Sequence, residues 1–77
     1  MSDIKTIQIN SETQEISLWK ILLESGIAKA GGESNRLIKQ SVIKVNGDIV
    51  NNTKKCYLKD ETLLVQCLSE TYIINIK

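Results

Sequence analysis

The segment Val42-Ile43-Lys44-Val45-Asn46-Gly47-Asp48-Ile49-Val50 constrains the fold of this chain more than any other. Asn-Gly between β-branched residues is the favoured two-residue hairpin turn, because both central positions need positive φ and these two residues tolerate it best. The hairpin predicts an antiparallel sheet with its register set at this point. Later runs agree with a sheet. Cys56-Tyr57-Leu58 reads as a strand, Lys59-Asp60-Glu61 as a turn and Thr62 to Leu68 as a strand. Ser69-Glu70 reads as a turn, and Thr71 to Ile76 as a closing strand. Ile4, Ile7 and Ile9 show a partial period of two, which predicts a short first strand.

Helical periodicity occupies the stretch between the first strand and the hairpin. After a polar, turn-like Asn10 to Glu15, Ser17 offers an N-cap for a helix with Leu18, Trp19, Ile21, Leu22 and Leu23 on its apolar side. Glu24-Ser25-Gly26 ends it, with Gly26 suited to the left-handed C′ position, and Ile27-Ala28 is expected to tuck into the core. A second helix runs from Gly31 to Gln40. Ala30, Ser34, Leu37, Ile38 and Ser41 form one face, with small residues where a neighbouring helix would approach. The order strand, helix, helix, strands predicts an α+β fold: two helices packed on a small, mostly antiparallel sheet of about four to five strands. The 77 residues suffice for one domain, residues 1–77, since so short a chain cannot bury a second core.

Charge is distributed unevenly. From Lys29 to Lys59, seven basic residues face only Glu33 and Asp48, a net +5, whereas the two flanking segments carry −2 each and the chain as a whole +1. A basic middle between acidic ends points to an anion-binding face. Gly31-Gly32 opens the second helix, where unpaired N–H groups and the helix dipole favour an anion; the alternative is a flexible entry needing positive φ. Lys29, Arg36 and Lys39 stand on or before that helix, with Lys44 on the hairpin and Lys54-Lys55 in the loop after it. Together they can contact several phosphates, while Asn35, Gln40 and Asn46 can hydrogen-bond sugar or base edges.

Other chemistries find less support. The chain has no histidine, and its two cysteines, Cys56 and Cys67, do not make a zinc-ligand set. A Cys56 nucleophile activated by Lys54-Lys55 is conceivable, but a small buried residue at a strand start is the favoured reading. Gly31-Gly32-Glu33 lacks the Lys and Ser/Thr of a phosphate loop, and no cofactor motif is evident. No apolar run approaches the roughly 18 residues of a membrane span. Met1-Ser2-Asp3-Ile4-Lys5 is not a secretory leader, so the expectation is a cytoplasmic, non-catalytic protein without a metal.

The run Gly26-Ile27-Ala28-Lys29-Ala30-Gly31-Gly32-Glu33-Ser34-Asn35-Arg36-Leu37-Ile38-Lys39-Gln40, followed by Val42-Ile43-Lys44-Val45-Asn46-Gly47, resembles the S4-type RNA-binding domain. The signature of that family is two helices ending in such a hairpin, the αL motif. The resemblance covers roughly Ile16 to Val50. It implies recognition of structured RNA, ribosomal or transfer, by the second helix and the hairpin after it, and possible ribosome association as a partner state. Gly31-Gly32-Glu33, Lys54-Lys55-Cys56 and the short length look like the free-standing small RNA-binding proteins of the YbcJ/YaaA-like family. Leu22 to Ala28, Arg36 to Gln40 and Tyr72 to Lys77 are similar to the C-terminal tRNA-binding domain of bacterial tyrosyl-tRNA synthetases. Both relatives usually carry a basic residue where Asn35 stands, and the synthetase type another where Gly31 stands. These departures favour the free-standing family, and they keep open a protein-interaction module that has lost RNA binding.

Overall fold

The computed structural model describes residues 4–77, so Met1, Ser2 and Asp3 of the first run lie outside the described residues. Seven strands and two helices follow in the order β1 (Ile4–Ile9), β2 (Glu15–Ser17), α1 (Leu18–Glu24), α2 (Gly31–Lys39), β3 (Ile43–Val45), β4 (Asp48–Ile49), β5 (Cys56–Leu58), β6 (Thr62–Cys67) and β7 (Glu70–Ile76). The expected α+β class holds. Five strands form a sheet in the order β1-β7-β6-β3-β4, and β2 pairs with β5 in a separate two-stranded ribbon. Every pairing is antiparallel except β1 with β7, which run parallel from Ile4↔Thr71 to Ile9↔Ile76.

Strand alternation decides which face is buried. Ile43 and Val45 of β3, Leu63, Val65 and Cys67 of β6, and Ile74 and Ile76 of β7 all turn to one side. There they meet Leu18, Ile21 and Leu22 of α1 and Ile38 of α2 in one core. The residues between them, Lys44, Leu64, Thr62 and Gln66, lie on the opposite, solvent face. The helices therefore cover one side of the sheet and leave the other open.

Local chemistry explains the turns. Asn46 (φ 53°) and Gly47 (φ 91°) both take positive φ, and Val45 pairs directly with Asp48, as the two-residue hairpin requires. Gly26 (φ 84°) reverses the chain after α1, its N–H donating to the Leu23 carbonyl, and Ala28 enters the core as expected.

Several local expectations are corrected. Ser17 occupies the N-cap position of α1, but its side chain makes no capping bond; its backbone is drawn into β2, and the Leu18 N–H donates to the Lys55 carbonyl instead. Glu15 belongs to β2 rather than to the preceding turn. Ala30 and Ser41 are exposed, because they lie just outside the helix, where the periodicity of 100° per residue no longer applies. The last turn is Leu68-Ser69 rather than Ser69-Glu70, since Cys67 already pairs with Glu70. Cys56 starts β5 as expected but is exposed, and Cys67 is the buried cysteine.

Candidate nucleic-acid interface

Helix α2 is amphipathic in the way its sequence implies. Ser34 and Ile38 are wholly buried, and Gly31 and Leu37 are half-buried beside them. Ser34 allows close approach to α1: its hydroxyl donates to the Trp19 carbonyl at 2.6 Å. At Gly31, an added Cβ would stand 3.9 Å from the Trp19 ring, in ordinary contact. The opposite face carries Gly32, Glu33, Arg36, Lys39 and Gln40, all exposed, with Arg36 at its centre and Asn35 half-buried at its margin. Arg36 and Lys39 also fall in the last turn, where the helix dipole stabilises cations. Gln40 is the C-cap, its N–H donating to the Arg36 carbonyl.

The start of α2 is open. Its N-cap is Ala30, which has no side-chain acceptor, and nothing stands within 4 Å of a Cβ built on Gly32. Neither Gly31 nor Gly32 takes a positive φ, which removes the reading that the pair serves a left-handed entry. What remains is a helix end with no side-chain cap and an exposed Gly32, with Lys29 exposed just before it. Glu33 is the acidic residue of the same turn, and its charge would repel an anion there.

Two contacts bring separate segments to the first turn of α1. The Leu18 N–H holds the Lys55 carbonyl at 2.8 Å, and the Trp19 carbonyl receives the Ser34 hydroxyl. The Lys54-Lys55 loop and the N-terminal half of α2 thus adjoin the same turn. Lys54 is exposed, its backbone N–H fixed to the Asn52 Oδ1 at 2.9 Å. The Lys55 ammonium lies 5.9 Å from the centroid of the Tyr57 ring, within cation–π range.

Lys44 and Asn46 are placed differently. Lys44 is exposed, but on the solvent face of the sheet, away from the helices. Asn46 serves the fold: its N–H donates to the Leu64 carbonyl at 2.8 Å, and its Oδ1 accepts from the Leu64 N–H at 3.0 Å. These two bonds extend the pairing of β3 with β6 by one residue into the turn.

Sequence reasoning missed a groove of about 450 Å³ between the hairpin and the Asn51–Lys55 loop, lined by Asn46, Asp48, Asn51, Lys55 and Tyr57 among others. Tyr57 gave no signal beyond its place in a strand. Only the tertiary fold sets it against the hairpin. Burial pushes the Tyr57 phenol up from its ordinary value, and Glu61 adds to the shift. Among the described residues no group of three or more His, Cys, Asp or Glu side chains is placed to hold a metal ion, and no helix is long and apolar enough to cross a membrane.

No family model matches the chain. Over 57 residues, 74% of its length, it is 30% identical to a tyrosine–tRNA ligase of Francisella tularensis subsp. tularensis, of which this stretch makes up only 14%. The chain is thus similar to one small part of a translation enzyme.

Proposed function

We propose that this chain is a non-catalytic RNA-binding domain that grips structured RNA, transfer or ribosomal, from its helix side. The observation that carries this reading is the grouping of exposed cations. Lys29, Arg36 and Lys39 accompany α2, and Lys54 and Lys55 adjoin the first turn of α1, which also holds α2. Backbone N–H groups at Gly31 and Gly32 add neutral donors for a phosphate. Similarity to part of a tyrosine–tRNA ligase supports transfer RNA as the first ligand to try, and an appended domain as one setting for the chain. The resemblance to S4-type domains, including free-standing ones, agrees with the same surface.

The test is titration of labelled total tRNA and of ribosomal RNA fragments, followed by fluorescence anisotropy. Binding at micromolar or lower protein, lost on Arg36→Glu in a variant with an unchanged circular dichroism spectrum, is expected. Absence of binding to either RNA by the natural chain refutes the proposal. A second reading, a protein-docking module, draws on the open sheet face, where Ile4, Ile49 and Leu64 are exposed. A partner whose capture survives ribonuclease and fails on Leu64→Lys would favour it.

A further inference from the structure

The groove beside the hairpin joins groups that suit a flat, polar heterocycle. Its volume of about 450 Å³ falls within the range of small-ligand sites. Tyr57 contributes an aromatic ring, half-buried because it packs against the core, and Val45 contributes a buried apolar side chain. Asn46 and Asn52 line it with their Oδ1 atoms already engaged, on the Leu64 and Lys54 N–H groups. Asp48 and Asn51 line it as well, a carboxylate that only accepts and a carboxamide that donates and accepts. Lys55 adds one cation, now over the Tyr57 ring.

We propose that this groove receives one unstacked nucleotide of the bound RNA, its base against Tyr57 and its phosphate on Lys55. The inference rests on the RNA-binding reading above and goes beyond it. A bare phosphate does not account for the groove, since Asp48 repels it and an aromatic ring offers it nothing. A base accounts for both. Stacking on an aromatic side chain suits any base, and a carboxylate selects bases whose edge carries N–H groups. Guanine, with two adjacent N–H donors on its Watson–Crick edge, matches Asp48 best. The base displaces the Lys55 ammonium from the ring and leaves it beside the nucleotide's own phosphate. Paired RNA keeps its bases stacked inside the helix, so the groove takes a bulge, a loop or an end. The α2 cations then hold backbone, and the groove reads a position.

The experiment uses the whole chain and two RNA hairpins with the same stem, one fully paired and one carrying a single bulged guanosine. Affinities are measured by anisotropy, and a 2-aminopurine placed at the bulge reports stacking. The bulged hairpin is expected to bind about tenfold tighter than the paired one. Tyr57→Leu, which keeps apolar bulk and removes the aromatic face, is expected to bring that ratio near one, while Tyr57→Phe preserves it. Asp48→Asn, on an exposed residue of β4, is expected to erase any preference for bulged guanosine over bulged uridine. Equal binding of the two hairpins by the natural chain overturns the groove assignment and leaves the RNA-binding reading standing. So does a preference that survives both Tyr57→Leu and Asp48→Asn. Failure of both hairpins to bind, with Arg36→Glu making no difference, overturns both readings together.

Discussion

Charge removal on α2 should change the salt dependence of RNA binding by an amount the structure bounds. Five of the exposed cations are assigned to the proposed surface, namely Lys29, Arg36, Lys39, Lys54 and Lys55, whereas Lys44 stands on the solvent face of the sheet. Each phosphate contact releases counterions and adds about −0.7 to −0.9 to the slope of log K against log salt, so five contacts give a slope of about −3.5 to −4.5. The double variant Arg36→Ala/Lys39→Ala leaves three contacts and a slope of about −2.1 to −2.7. Between about 50 and 200 mM salt, the natural chain then loses about 250-fold in affinity and the variant about 30-fold. Lys44→Ala should leave the slope unchanged. The assay is anisotropy of labelled tRNA at four or five salt concentrations, with thermal melts as a folding control. Those melts should shift little, because the lost charge–dipole interaction is worth about 0.3–1 kcal/mol per residue. An unchanged slope in the double variant refutes the assignment of α2 as the centre of the surface. A slope reduced as much by Lys44→Ala refutes the assignment of the helix side.

Four further outcomes are expected. Leu68 is 75% exposed and held at φ 56°, so Leu68→Gly relieves left-handed strain with little burial lost. It should gain about 1 kcal/mol and raise Tm by about 4–8 °C; an unchanged or lower Tm counts against strain there. Ser34→Val should cost about 2–4 kcal/mol in urea unfolding, from overpacking against α1 plus the lost bond to the Trp19 carbonyl, and Ser34→Ala about 1 kcal/mol. Asn46→Gly keeps the turn conformation but removes the acceptor for the Leu64 N–H, and should cost about 1 kcal/mol of stability. Burial, with Glu33 adding, pushes the Cys67 thiol up from its ordinary 9.0, and burial, with Glu61 adding, pushes the Tyr57 phenol up from 10.0. The unfolded chain releases these protons first, so stability is fully present below pH 9 and falls as pH rises past 9 and then 10. Urea midpoints that stay level up to about pH 10.5 contradict this sign.

What could be read from the chain follows the range over which each signal acts. The Asn46-Gly47 turn was legible because its requirement for positive φ is local and only a few residue types meet it. The buried face of α2 was legible at Ser34 and Ile38, where periodicity and packing coincide, and failed at Ala30 and Ser41, where the helix had already stopped. The parallel pairing of β1 with β7 was not legible, since strand alternation says which face is buried and nothing about the neighbour. Strand β2 contributes one buried residue, Ile16, too little for any pattern. Leu68 at positive φ runs against the preference of its own side chain, so only the tertiary fold, closing β6 onto β7, puts it there. Of the candidate site, the residue types were visible but not their faces. Lys44 alternates away from the helices and Asn46 is engaged by Leu64, while the Tyr57 groove arises from segments apart in sequence.

The parallel pairing of β1 with β7 also governs how the molecule comes into being. Ile4 meets Thr71 across 67 positions, and among the described residues no strand other than β7 adjoins β1. Within this domain β1 is synthesised well before β7, so Ile7 and Ile9 lack that neighbour until β7 has also been made. Pairings so distant in sequence form slowly, because the entropy of closing the intervening chain must be overcome before their contacts contribute. Losing even part of Glu70–Ile76 would set β1 adrift while stripping β6 of a neighbour.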